Sequence, residues 1–212
     1  LVQVLDFVPN VLSLQVVLDA KGKIIAAKAG PVVDTQKELS KKVEDIYKLP
    51  LTAPADVIVA SAGGYPADVN LIQAHKSIHH AFQAVKINGC IIMFAECSEG
   101  VGSSTLTPYL EFGTAAKIGQ ALLEDYQING HTALALRAKA EDAHIIFISS
   151  LGHELVSKTG MIPARSMEEA WRLAEPYLPT NAHGYVMHQA SFFIPMVMDN
   201  SCSRAPHSVS QQ

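Results

Sequence analysis

The stretch that decides the fold runs from residue 56 to residue 96, DVIVASAGGYPADVNLIQAHKSIHHAFQAVKINGCIIMFAE. DVIVASA is a short, continuous apolar run of the kind that fills a strand buried on both faces, and GGYP stops it. NLIQAHKSIHHAFQAV then has the spacing of a helix, Asn88-Gly89 reads as the turn that closes it, and CIIMFAE is a second buried strand. Strand, helix and strand make one βαβ unit, which implies parallel pairing and a right-handed crossover.

Working outward, helices are expected around residues 108–127 and 131–140, and HIIFISS reads as a third strand. HELVSKTG is a helical turn ended by Gly160. SMEEAWRLAEPYL opens with a capping box, Ser166 and Glu169, and should bury Trp171. GYVMH supplies a last strand. Upstream, LSLQVVLDAKGKIIAAK reads as a hairpin turning at Gly22, and DTQKELSKKVEDIYKL as an amphipathic helix ended by Pro50. The expected fold class is α/β, an open, mostly parallel sheet with helices on both faces, preceded by a β-hairpin and a helix.

Of 212 residues, 49% are apolar and 17% charged, enough to bury a sizeable core. No apolar run reaches the ~20 residues of a membrane helix, so no membrane span is expected. The net charge of −4, without a basic stripe, argues against nucleic acid. Three cysteines without a CxxC pair point to a reducing, cytoplasmic setting. The chain opens on Leu1 and reads as cut from a longer one, with a polar tail from Asp199 that reads as disordered.

Ligands of parallel α/β sheets gather at the carboxyl ends of the strands, here GGYPADVN and ECSEGVGSS. Gly63 and Gly64, with Tyr65, form a loop allowing close backbone approach, and the helix behind it offers free N–H groups to an anion. Gln73 and Lys76 are three apart and can hold a carboxylate between them. Equally, Asn70 and Gln73 have cap spacing, and Lys76 reads as a solvated lysine; the residues alone leave both readings open. His75 and His79 have chelate spacing but no third ligand, so no metal site is expected; His131, at a helix start, is a better cleft candidate. Cys97 is a nucleophile only if its thiol pKa is lowered.

The strings DVIVASAGGYPADVNLIQAHK, INGCIIMFAECSEGVGS, NGHTALALRAKAEDAHIIFIS and GMIPARSMEEAW, in this order, resemble the carboxyl-terminal part of the nickel-pincer lactate racemase family. The similarity runs from about Val11 to about Val197. It implies a racemase or epimerase of 2-hydroxy acids with an active site between two domains, using a nickel-bound pincer derivative of nicotinic acid mononucleotide. By the resemblance, residues 1–50 are the end of the cofactor-binding amino-terminal domain, 51–189 a Rossmann-like carboxyl-terminal domain, and 190–212 a return segment and tail. Gln73 and Lys76 match the family's substrate-side pair and, less closely, His131 a position near the substrate.

The family's catalytic and nickel-binding residues match nothing here, so neither catalytic nor metal residues are expected in this chain, which alone should bind no cofactor and be inactive. Its implied partners are a small hydroxy acid and the missing amino-terminal domain, and an exposed interface would favour self-association. Ile72 stands where better-known members have Tyr, which puts lactate specificity in question. Two readings compete with this one: a free-standing module binding a small anion at the GGYP loop, and a thiol or metal hydrolase using Cys97 or His75 and His79.

Overall fold

A computed structural model describes residues 2–8, 10–19 and 21–198, in two compact units, Leu1–Leu49 and Pro50–Gln212. The polar segment 199–212, with Cys202, lies outside the described residues.

In the first unit, β1 (Leu12–Leu18) and β2 (Ile24–Pro31) form an antiparallel hairpin. Its turn is held by the Asp19 carboxylate, which accepts from the Lys21 and Lys23 N–H groups at 2.8 and 2.9 Å, while Gly22 takes a φ of 76°. Helix α1 (Val32–Tyr47) lies on one hairpin face. Thr35 is buried there, its hydroxyl 2.7 Å from that of Ser13 and accepting from Gln15 Nε2 at 3.1 Å. Strand alternation sends Leu12, Leu14, Val16 and Leu18 to the other face, where all four are exposed.

The second unit is built on five parallel strands in the order β7-β6-β5-β4-β8. They are β4 (Ala55–Ser61), β5 (Val85–Phe94), β6 (His144–Ile148), β7 (Ile162–Ala164) and β8 (Gly184–Met187). Two-residue periodicity divides their side chains between two cores. Ile58, Ile91, Met93, Ile145 and Phe147 pack with α2 (Leu71–Ala84) and α5 (Gly130–Asp142). Val57, Cys90, Ile92 and Ile146 pack with α7 (Met167–Ala174). Helices therefore cover both faces of a parallel sheet, and the expected fold class holds.

Several details differ from the sequence reading. Asn88-Gly89 does not end the helix ahead of β5 but forms a bulge inside the strand: Ala55 pairs with Val85, yet Val57 pairs with Cys90. Asn88 takes a φ of 59°, and a Cβ at Gly89 would stand 3.0 Å from the Asp56 carbonyl. The expected helix over 108–127 is broken at Gly113 into α3 (Thr107–Leu110) and α4 (Ala115–Glu124), the latter capped by the Thr114 hydroxyl. Between β6 and β7 lies α6 (His153–Lys158). Two short strands, β3 (Lys48–Leu51) and β9 (Ile194–Val197), pair with each other and had no signature in the sequence. Trp171 is 40% exposed rather than core, because α7 lies close against the sheet through Ala170 and Ala174, one turn apart, which leaves its neighbour at 171 on the flank.

Candidate functional site

The connections β4→β5→β6→β7 progress along the sheet in one direction, and β8 returns to the far side of β4. The chain therefore has a switch point beside β4, where the GGYP loop leaves the sheet. Gly63 and Gly64 have φ of 96° and 85°, and the Tyr65-Pro66 peptide is cis. Gly63 is required for two reasons: a Cβ there would meet Gln189 Cγ at 2.5 Å, and an L side chain resists its φ. Gly63→Ala is expected to cost about 2 kcal/mol, read from the midpoint of denaturant unfolding, while Gly64→Ala, strained but with open space around it, costs less. Tyr65 is exposed at the tip.

The two glycine-rich loops are joined backbone to backbone. Cys97 N–H donates to the Asp68 carbonyl at 2.8 Å and Glu99 N–H to Val69 at 2.9 Å, while Leu71 and Ile72 donate to the Gly100 and Val101 carbonyls. Asn70 Oδ1 takes the Gln73 N–H at 3.0 Å. These bonds correct an expectation: the first-turn N–H groups of α2 are not free for an anion, since loop carbonyls and the cap residue already accept them. Gly102 closes the arrangement, with the space for its Cβ filled by Asn70.

Gln73 and Lys76 do come together. The capping bond uses the backbone of Gln73, which leaves its side chain to accept from Lys76 Nζ at 2.7 Å. That bond orients the ammonium and leaves the Gln73 amide nitrogen beside it, without a hydrogen-bond partner among the described residues. A half-buried amide and an exposed ammonium on one helix face suit a carboxylate. Ile72 faces elsewhere, packing on Leu106, Tyr109, Leu110, Ile118 and Ala133 of α3 to α5.

His131 is exposed in the first turn of α5, stacked on Tyr126 and 3.2 Å from its hydroxyl, with no hydrogen bond to Gln73 or Lys76. His75 is turned toward α5, where Lys139 Nζ donates to its Nε2 at 3.2 Å. Burial, and then the Lys139 ammonium, hold His75 down at about 3. His79 is also lowered, first by burial, and its Nε2 is 3.1 Å from Gln83 Nε2. Among the described residues no three His, Cys, Asp or Glu side chains could hold a metal ion. Cys97 is buried, and burial followed by Asp68 and Glu96 pushes its thiol up to about 12. Such a thiol is protonated at neutral pH and unsuited to nucleophilic attack.

A groove of about 480 Å³ opens at the carboxyl ends of β4 to β7. Phe94, Ala95 and Ile148 form its apolar floor, and Asp68, Glu96, Ser150 and Arg165 are among its polar lining. Asp68 and Glu96 belong to the loops singled out in the sequence. Arg165 gave no signal of its own, although it sits directly after β7, where the strand-end rule would have placed a candidate once that three-residue strand was known.

The profile of the family described as "Lactate racemase C-terminal domain" matches residues 51–190. The chain is 28% identical over 173 residues to a lactate racemase of Thermoanaerobacterium thermosaccharolyticum and 29% identical over 169 residues to one of Lactiplantibacillus plantarum. Each alignment covers 76% of this chain but 39% of the relative, so the chain spans well under half the length of the curated relatives it matches. The solved lactate racemase apoprotein of T. thermosaccharolyticum superposes with a TM-score of 0.77 at 25% identity, covering 87% of this chain and 46% of that one. A Thermotoga maritima protein superposes with a TM-score of 0.58 at 9% identity, covering 88% and 49%, which speaks for the fold alone. Among the described residues no helix is long and apolar enough to cross a membrane. With its parallel sheet, its GGYP loop and the profile matching residues 51–190, the chain belongs to the lactate racemase C-terminal domain family.

Proposed function

We propose that this chain is the carboxyl-terminal part of a cytoplasmic racemase or epimerase of 2-hydroxy acids, and that it presents Gln73 and Lys76 to a site between two domains. The observation that carries this reading is the 2.7 Å bond from Lys76 to Gln73, which sets an ammonium and an amide donor side by side directly behind the GGYP loop. A 2-hydroxy acid offers a carboxylate to such a pair, and holding that carboxylate fixes the α-carbon relative to whatever reacts with it. Residues 51–189 form the substrate-side domain in this reading, and the return segment begins at residue 190. Residues 1–50 are the end of that domain, and the exposed row Leu12, Leu14, Val16 and Leu18 is a face its remainder would cover. His131 is a weaker substrate-side candidate, available through its exposed ring.

The nickel-pincer nucleotide of the family, when bound, supplies a hydride acceptor. Among the described residues no cluster of three His, Cys, Asp or Glu side chains could hold a metal ion by itself, and no chemical step is assigned to this chain. Its own part is to bind and orient the carboxylate. A small-anion module acting alone is less well supported, because the helix N–H groups it would use are already engaged.

The test is to join this chain to the amino-terminal portion of the T. thermosaccharolyticum enzyme, load the chimera with cofactor, and follow interconversion of lactate and larger 2-hydroxy-acid enantiomers by chiral chromatography. Activity in the chimera and none in the isolated chain is the expected result. A loaded, folded chimera inert toward every hydroxy acid would overturn the racemase reading, and activity in the isolated chain would overturn the division of labour.

A further inference from the structure

The groove at the strand ends carries a charge arrangement that the racemase reading does not use. Arg165 enters it from the β7–α7 connection, exposed, its guanidinium making one long bond to the Ser149 carbonyl at 3.4 Å and, among the described residues, no ion pair. Its backbone N–H is bound by Glu169 at 2.7 Å, so the main chain is fixed while the guanidinium keeps donors to spare. Two carboxylates belong to another part of the wall. Glu96 follows β5, two strands and about 10 Å from β7. Its carbonyl accepts from both the N–H and the hydroxyl of Ser150, at 2.9 and 2.7 Å, which fixes its backbone between the β5 and β6 ends. Asp68 joins it, accepting the Glu96 N–H at 3.3 Å. Neither carboxylate reaches Arg165, and the space between them is open.

We propose that this groove binds a small zwitterion of the amino-acid class, its carboxylate on Arg165, its ammonium on Asp68 and Glu96, and its side chain on the apolar floor at Phe94 and Ile148. Charge selects this class. A simple anion would gain one guanidinium and face two carboxylates, and a simple cation would leave the guanidinium unmatched; a ligand with both charges satisfies each group. The volume of about 480 Å³ lies within the range of small-molecule sites, roughly 300–1,000 Å³. Neither Gln73 nor Lys76 lines the groove, and Phe94 and Ile148 pack on the α7 side of the sheet while α2 covers the opposite side, so the groove uses residues other than the hydroxy-acid pair.

The twenty standard L-amino acids are screened against the full 212-residue chain by thermal shift. The best binder is then titrated by calorimetry beside its deaminated and decarboxylated analogues. Saturable binding is expected, weakened at least tenfold by loss of either charged group, by Arg165→Gln and by Glu96→Gln, and unchanged in Lys76→Ala. Arg165→Gln keeps the backbone bond to Glu169, so its circular dichroism and unfolding midpoint should match the parent chain. The proposal is overturned if no amino acid binds, if the deaminated analogue binds equally well, or if Arg165→Gln binds like the parent.

Discussion

Lys76→Ala, made in the cofactor-loaded chimera, is expected on the proposed reading to lower kcat/KM toward the hydroxy acid by about a hundredfold. A hydrogen bond to a charged group contributes about 1.5–3 kcal/mol, and every 1.4 kcal/mol is a factor of ten. The loss should fall mainly on KM, because a substrate carboxylate held by Lys76 would be present in ground and transition states alike. Gln73→Ala removes the amide donor and the acceptor that orients Lys76, and should cost about tenfold. Gln73→Glu should be worse, since it sets a carboxylate against the substrate's own. Initial rates in both directions by chiral chromatography give these values. A Lys76→Ala enzyme within twofold of the parent would remove Lys76 from the substrate site.

The second large effect is a stability that climbs with pH in two separate windows. Lys139 is buried between α5 and α2, against the Phe82 ring, donating to the Ala135 carbonyl at 3.0 Å and to His75. Burial brings it down from 10.5 to about 8. Between those values the unfolded chain holds a proton that the folded chain has released, so stability rises with pH across that window, by about 3 kcal/mol in total. His75, lowered from 6.5 to about 3, has the same sign at acid pH: the unfolded state takes up a proton below 6.5 while the folded state stays neutral, and stability falls as pH drops toward 3. Lys139→Met should flatten the alkaline rise and His75→Leu the acid fall. Urea unfolding at a series of pH values reads both, and subtracting variant from parent cancels the titrations they share. Parallel curves for parent and Lys139→Met across pH 8 to 10.5 would show that Lys139 stays charged in the fold.

Lys139 also shows where sequence reading stopped. Periodicity places the lysine only on a helix, and nothing 64 positions away marks His75 as its partner. The same holds for Arg165 and Glu96, which become two walls of one groove only after β5, β6 and β7 have lined up their carboxyl ends. Gln73 and Lys76 were legible because their contact is local, one helical turn apart. The strands β4, β5 and β6 were legible because continuous apolar runs fit burial on both faces. The short strands β3, β7 and β9 carry no legible period, although β8, also four residues long, is read from GYVMH.

By itself, then, the sequence determined the local and periodic features: the βαβ order, the hairpin, the capping residues, the glycine loops at the strand ends and the Gln73–Lys76 face. Tertiary structure alone decided which distant groups meet. It gave the first-turn N–H groups of α2 to the Gly100 and Val101 carbonyls and Asn70, turned Trp171 outward and His75 inward, and left Arg165 facing a gap. Periodicity reports which side of an element is buried. A hydrogen bond or an open groove depends on what another element brings to that side, and chain order does not encode it.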